Sequence, residues 1–406
     1  MTLLDYAVDV RPLRIPAFRR LWLASVVSAV GGSFSIIAIP NQLFAMTASS
    51  AAVGGAAAVS FLTLVVAALW GGVLADTLDR RRVLVIAQAG LAVTYLLLWL
   101  QAVGNVRSVV VLMALVACEG VSFGVTLATM GAAVPRVVPV ELLPAANSLS
   151  SLVRSCGAIV GPLLAGVLIP MVGLGWLYFF DMLALFMVLW AILRLPAIPA
   201  VPRQLAASVV SQVTEGCCYL LTHRLLVAIL GVDLAAMVFG NPVALFPELA
   251  ARTYGGGFAL GLLYAAFGRG FAAGLVSGTF TRARRHGALM ACAAMVWGVA
   301  VVLLALAAQL WLAVLALLVG GAVNFVLSTF RNAISQAYTD DALRGRIQGA
   351  LTVVLVGGPQ LGNVLHGLAG AGFRSSLGDG GRRRALTVCA VALIVCTVPE
   401  LGRYRA

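Results

Sequence analysis

The chain has 406 residues, of which 62% are hydrophobic and 10% charged, and its mean hydropathy is +1.05. A water-soluble domain needs a polar surface built with about 25% charged residues, so a soluble enzyme or binding module is excluded. The formal net charge of +13 is carried by arginine alone; without lysine there is no Walker A loop, and arginines confined to short breaks between apolar blocks argue against a nucleic-acid surface.

The apolar blocks approach the ~20 residues that a bilayer-spanning helix needs. In lipid the backbone must satisfy itself within each segment, which predicts an all-α membrane protein. The first blocks run over 21–46, 51–75, 83–103, 107–131, 145–170 and 174–195. The opening block is too long, and lacks the small-residue cleavage site, for a cleavable signal peptide. A more polar stretch over 196–223 follows, with Pro196, Pro199, Pro202 and Arg203. The second set runs over 224–247, 258–280, 287–307, 311–336, 347–371 and 385–399. The pattern predicts about twelve spans in two six-helix halves, 1–195 and 224–406, joined by a cytoplasmic linker at 196–223. The last block falls short of the ~20 residues expected of a span.

Arginine placement predicts the orientation. Arg11, Arg14, Arg19 and Arg20 precede the first span, and Arg80, Arg81 and Arg82 follow the second. Arg136, then Arg194 and Arg203, follow the fourth and sixth; Arg282, Arg284 and Arg285, then Arg344 and Arg346, follow the eighth and tenth. The alternate loops are nearly bare, which puts both termini in the cytoplasm of a cell-membrane protein. Arg374, Arg382, Arg383 and Arg384, before the last block, break this rule. A faint internal repeat supports two halves: Glu141-Leu142-Leu143 matches Asp341-Ala342-Leu343, and Gly72 to Arg82 has an echo in Gly278 to Gly287. The seven cysteines form no CxxC, and His223, His286 and His366 lack metal-ligand spacing. No cofactor or metal is implied, and no nucleophile–base constellation suggests an enzyme.

Charges inside a span cost at least ~2.5–3.5 kcal/mol at its centre, so each needs a reason. Glu119 lies within span four, with Ser122, Phe123, Thr126 and Met130 on its face. Arg154 lies in span five on a stripe with Asn147, Ser150, Ser151, Ala158 and Gly161. At 1.5 Å per residue Glu119 is about 18 Å, and Arg154 about 13 Å, from the cytoplasmic end. The expectation is that Glu119 binds a coupling proton and Arg154 tunes it; the plainer alternative is a static ion pair. Span seven offers Asp233 and Asn241 at helical spacing, and span ten Asn324, Ser328, Arg331 and Ser335. Span one offers Ser28, Gly32 and Ser35, with Gln42 further out. These stripes are expected to line a polar cavity, with Phe34, Phe123, Phe239, Tyr264 and Phe267 as aromatic walls. Interhelical packing by small and polar residues is the alternative.

Gly72-Val-Leu-Ala-Asp76-Thr-Leu-Asp79-Arg80-Arg81-Arg82 resembles the loop signature of the major facilitator superfamily between helices two and three, departing at Thr77, usually basic, and at Asp79, often glycine. Gly157-Ala-Ile-Val-Gly161-Pro162-Leu-Leu-Ala165-Gly166 resembles the helix-five signature of its exporter branch. The helix-four arginine motif is replaced by Cys118-Glu119-Gly120. Pro16-Ala-Phe-Arg-Arg20, Ala38-Ile-Pro40-Asn-Gln42, Phe246-Pro247, Gly261-Leu-Leu-Tyr264, Arg344-Gly-Arg346-Ile-Gln and Glu400-Leu-Gly-Arg-Tyr-Arg405 look like the enterobactin-exporter group, related to actinobacterial multidrug efflux proteins. The resemblance spans essentially the whole chain.

It implies a proton-coupled exporter, expected to be monomeric, that moves a drug or siderophore by alternating access with its site near the midplane between halves. An importer of a nutrient or iron chelate, and a receptor or scaffold that transports nothing, are the alternatives. Relatives often carry an acid after a glycine in span one, where this chain has Gly32-Ser33, which shifts weight to Glu119 and Asp233. Arg269 in span eight would suit an anionic catecholate or pair with Asp233. Gly72, Asp76, Arg80 and Arg81 form the expected gating loop, with Asp76 aimed at the start of span eleven near Arg346.

Overall fold

The structure, a computed structural model, describes residues 10–31, 33–139, 142–194, 231, 234–268, 286–337 and 357–368, apart from some side chains within the helices. Among these residues all regular structure is helical. In chain order, after a 3-10 turn at Arg11–Arg14, come α1 (Pro16–Gly31), α2 (Ser35–Thr47), α3 (Ser50–Thr77), α4 (Arg80–Val103), α5 (Val109–Val137), α6 (Leu143–Val172) and α7 (Leu174–Leu193). Then follow α8 (Phe246–Arg252), α9 (Gly257–Gly268), α10 (His286–Leu306), α11 (Leu310–Ala337) and α12 (357–368). The expected linker at 196–223 and the short block 385–399 lie outside the described residues.

The first apolar block is not one helix. It crosses Gly31-Gly32-Ser33, where glycine is a poor helix former, and the chain turns at Ser33-Phe34 before α2 starts. The segment expected as span seven is also interrupted. Helix over 234–239 stops at Gly240, and Asn241-Pro242 lead through a 3-10 turn, Val243–Leu245, into α8. The residue before a proline is biased away from helical angles. The periodic spacing that placed Asn241 on a common helix face with Asp233 therefore does not run through this break.

Helix starts and stops follow local chemistry. Asp79 caps α4, its carboxylate accepting the Arg81 backbone N–H at 2.8 Å. Gly173, at φ +82°, ends α6 and admits the sharp turn into α7 that a side chain would resist.

The chain forms two compact units, Met1–Ile39 with Leu62–Ala206 and Pro40–Phe61 with Ala207–Ala406. In the first, α4 packs on α5 and α7, and α1 on α6 and α7. The start of α1 buries Phe18 against Val138, Ala146 and Leu149. Trp22 adds a hydrogen bond from its indole to the Leu149 carbonyl at 3.3 Å. Further along, α1 and α6 approach so closely that a Cβ at Gly157 would lie 2.5 Å from the Ala29 carbonyl oxygen. The last carbonyls of α7 receive two arginines: Arg20 donates to Arg194 O at 3.0 Å and Arg81 to Leu193 O. Cations at a helix C-terminus complement its dipole.

In the second unit, α8 packs on α9, and α11 receives both α9 and α10. Trp297 of α10 is fully buried, and its indole donates to the Gly240 carbonyl at 3.0 Å. The start of α3 crosses α12 at glycines: a Cβ on Gly54 would lie 2.7 Å from Asn363 O, and one on Gly367 2.6 Å from Ser50 O.

Six of the described helical stretches are long and apolar enough to cross a membrane: Ser50–Gly71, Arg80–Val103, Val109–Thr129, Leu174–Leu193, Leu234–Arg252 and Leu310–Leu327. Large apolar side chains such as Ile86, Val110, Trp311 and Leu315 stand exposed along them. Such surface suits lipid rather than water. Trp176 and Trp190, near opposite ends of α7, are exposed at positions that fit interfacial tryptophans.

Candidate functional site

Two acids, Glu119 half-buried and Asp181 fully buried, lie in the first unit. Glu119, on α5, accepts a hydrogen bond from the Tyr95 hydroxyl of α4 at 2.7 Å. Asp181, on α7, has 0% exposure. Its Oδ2 accepts the Ser35 backbone N–H at 2.7 Å and also the Ser35 hydroxyl. Ser35 opens α2, where backbone amides lack helical partners and the dipole is positive. The Asp181 carboxylate therefore closes the helix end that the break in the first block leaves open. Its second oxygen, Oδ1, has no hydrogen-bond partner among the described residues. Counted along their helices, Glu119 is about 15 Å from the Val109 end of α5 and Asp181 about 10 Å from the Leu174 end of α7. Both acids are thus held at depth, where an ionisable group is costly and carries function.

The second unit holds another buried acid. Glu248 of α8 is 4% exposed; it accepts the Ser50 hydroxyl at 2.5 Å and lies 3.8 Å from the half-exposed Arg252 guanidinium. Arg252 also stands 5.8 Å above the Phe44 ring.

The other expected residues fall as follows. Phe34 and Ser35 are buried beside Asp181, with Phe34 edge-on to Phe180 at 6.4 Å. Gln42 is half-buried on α2, and Asn324 half-buried on α11. Phe123, on the Glu119 helix, is 47% exposed. Asn241 is buried at the break before α8, and Tyr264 of α9 is buried edge-on to Phe246 at 5.2 Å. Both carry a side-chain oxygen without a partner among the described residues. Arg80 is buried at the start of α4, next to Arg81 with its bond to α7. In α6, Gly157 makes the close approach to α1, Gly161 and Gly166 are buried, and Pro162 sits inside the helix. Gly72 and Asp76 belong to α3, Arg154 to α6, and Ser328 and Arg331 to α11, but their side chains lie outside the described ones. Asp233, Arg269 and Arg346 lie wholly outside the described residues. Among the described residues no group of three or more His, Cys, Asp or Glu gathers as a metal site.

The structure brings together Glu119, Ser35 and Phe34 of the expected set and adds Tyr95 and Asp181, which sequence reasoning passed over. The signal was present: Asp181 is the sole charged residue of the block Leu174–Leu193. An acid in such a block is a functional candidate by default. Chemically, the pair of carboxyls with their hydroxyl partners can hold and release protons.

The family described as transmembrane secretion effector matches residues 7–404. The chain is 30% identical over 395 residues to the enterobactin exporter of Shigella boydii serotype 18, covering 96% of this chain and 94% of that protein. The same figures hold for the enterobactin exporter of Escherichia coli O157:H7. Among solved structures, the nucleoside transporter NupG is similar with a TM-score of 0.77 at 14% identity, over 96% of this chain and 100% of that one. A bacterial homologue of the iron transporter ferroportin, inward-facing, is similar with a TM-score of 0.66 at 15% identity, over 98% and 100%. At these identities the structures speak for the fold alone.

Proposed function

Because the chain belongs to the major facilitator superfamily, within its transmembrane secretion effector family, we propose that it is a proton-driven secondary exporter of a small aromatic molecule, with a catecholate siderophore as the first substrate class to test. The family is one of membrane transporters and not of enzymes, and the chain is a multi-pass protein of the inner membrane. The catecholate comes from the relatives, whose names assign them enterobactin export.

The observation that carries the proton reading is Glu119, a carboxyl at mid-depth held by the Tyr95 hydroxyl at 2.7 Å. A scaffold that transports nothing has no need of such a group. The proton gradient supplies the energy, its electrical part being worth about 2.3 kcal/mol per charge per 100 mV. In this reading the termini are cytoplasmic, the protein acts as a monomer, and residues 1–195 and 224–406 are its two repeats working by alternating access.

The test uses inverted membrane vesicles holding the full chain and radiolabelled enterobactin. Vesicles acidified inside should accumulate the label, and collapsing the pH gradient should stop accumulation. Glu119→Gln, which keeps the shape of the side chain and removes its proton site, should lower gradient-driven accumulation at least about tenfold, the scale of one lost proton-coupled step. Full gradient-driven transport by that variant would remove Glu119 from the mechanism. Accumulation only with the gradient reversed would make the protein an importer.

A further inference from the structure

We propose that Asp181 is a second proton-binding carboxyl of this transporter, linked to Glu119 through the hydroxyls of Ser35 and Tyr95, and that its charge governs the break in the first span. The proposal rests on the proton-driven reading above and extends it to a residue outside that reading.

The geometry comes first. Asp181 is completely buried, and among the described side chains no arginine pairs with it. One oxygen is committed to Ser35, while the other makes no hydrogen bond among the described residues, with the Phe34 backbone also beside the carboxyl. A buried carboxylate left with an orphaned oxygen is costly while it is ionised, and taking up a proton removes that charge. A carboxylate wanted only for structure would be expected to have both oxygens bound.

The connection comes second. The Tyr95 hydroxyl donates to Glu119, and the Ser35 side chain lies close enough to Tyr95 to influence its hydroxyl. Ser35 in turn donates to Asp181. The four side chains thus form one chain, carboxyl–hydroxyl–hydroxyl–carboxyl, drawn from α5, α4, α2 and α7. Once the Ser35 hydroxyl turns its hydrogen from Asp181 towards Tyr95, a proton on the Asp181 oxygen that faces Ser35 can reach Glu119 as each hydroxyl accepts one proton and gives up its own. One proton moves in total, and Ser35 and Tyr95 end as they began.

Among the described side chains, few ionisable groups surround Asp181. From α4 comes Tyr95, from α5 Glu119, and from α7 itself Tyr178, whose surroundings include both acids. The arginines of α1, Arg19 and Arg20, sit in its first turns, far along the helix from its break. The charged residue of α6 is Arg154, whose side chain lies outside the described ones.

The consequence for motion follows from the helix end. An ionised carboxylate binds the open N-terminus of α2 through charge-assisted hydrogen bonds, roughly twice as strong as neutral ones. When Asp181 takes a proton, that grip weakens, and the α2 segment is free to re-angle at Ser33-Phe34. When the proton moves on to Glu119, the grip returns. Proton passage and the bend in the first span are coupled by one contact.

The test is pH-difference infrared spectroscopy on the purified full chain in lipid, beside gradient-driven enterobactin flux in the same proteoliposomes. The wild type should show a titrating carboxyl C=O band that Asp181→Asn removes, with gradient-driven flux falling at least about tenfold. The asparagine can still accept both Ser35 bonds, so the fold is expected to persist. Ser35→Ala, which leaves every carboxyl in place, should move the pH midpoint of the same band. Tyr95→Phe, which removes the hydroxyl that donates to Glu119, should slow gradient-driven flux several-fold. A wild-type spectrum that Asp181→Asn does not change overturns the assignment, as does a Ser35→Ala band with an unmoved midpoint. An Asp181 band present in a protein whose flux ignores the pH gradient overturns the proton-driven reading and leaves the carboxyl assignment standing.

Discussion

Asp79 occupies a place where the superfamily's loop signature often has glycine, and the structure gives the departure a physical reason. Aspartate and glycine are both accepted at helix N-caps, aspartate because its carboxylate bonds a free amide. Asp79 does this to the Arg81 N–H at 2.8 Å. Asp79→Ala should therefore lower stability by about 1 kcal/mol and Asp79→Gly by only about a few tenths, read from thermal unfolding in detergent. An equal loss for both would show that the carboxylate does something beyond starting α4. The same contrast marks the limits of the sequence at this scale. Glu119 was visible as a lone acid in an apolar block, and Ser35 as part of a polar stripe. Their partners were not visible, because Ser35 and Asp181 are 146 residues apart and periodicity reads only within a helix.

Among the elements, small residues set how closely helices approach. The Gly157 motif read from sequence as a packing device does that in the structure, where α1 leaves no room for a Cβ. The crossing of α3 and α12 repeats the principle with Gly54 and Gly367, each of whose Cβ positions is taken by a backbone carbonyl of the other helix. Gly54→Val and Gly367→Val should each destabilise the crossing by about 1–3 kcal/mol. Gly55→Val, at a position with nothing within 4 Å, should be close to neutral. Relative unfolding midpoints and thiol accessibility of a cysteine placed at Ser60 check this; three variants behaving alike would refute the close crossing. Length and hydropathy located most of the helices, yet they hid the interruptions at Ser33-Phe34 and Gly240–Pro242. Hydropathy averages across such points, whereas glycine and proline act on single backbone angles.

For the molecule as a whole, the arginine count makes a claim about direction in the membrane. Arg82 and Asn105 lie at opposite ends of α4 and are both exposed. In a protein freed of its native cysteines, Arg82→Cys should react with a membrane-impermeant maleimide only from the cytoplasmic side, and Asn105→Cys only from outside. The opposite result would invert the orientation without disturbing the fold. The fold itself was legible because bilayer-length apolar blocks are a strong, redundant signal. The partners of the two acids needed the tertiary arrangement, since nothing local says which polar residue answers which.

The Trp297 indole, clamped to the carbonyl of Gly240, ties α10 to the point where the chain stops being helical ahead of α8. Straightening that interruption requires the indole to release its carbonyl and meet a different dielectric. The protein therefore carries a native optical reporter, whose ultraviolet emission should change colour whenever the C-terminal helices rearrange.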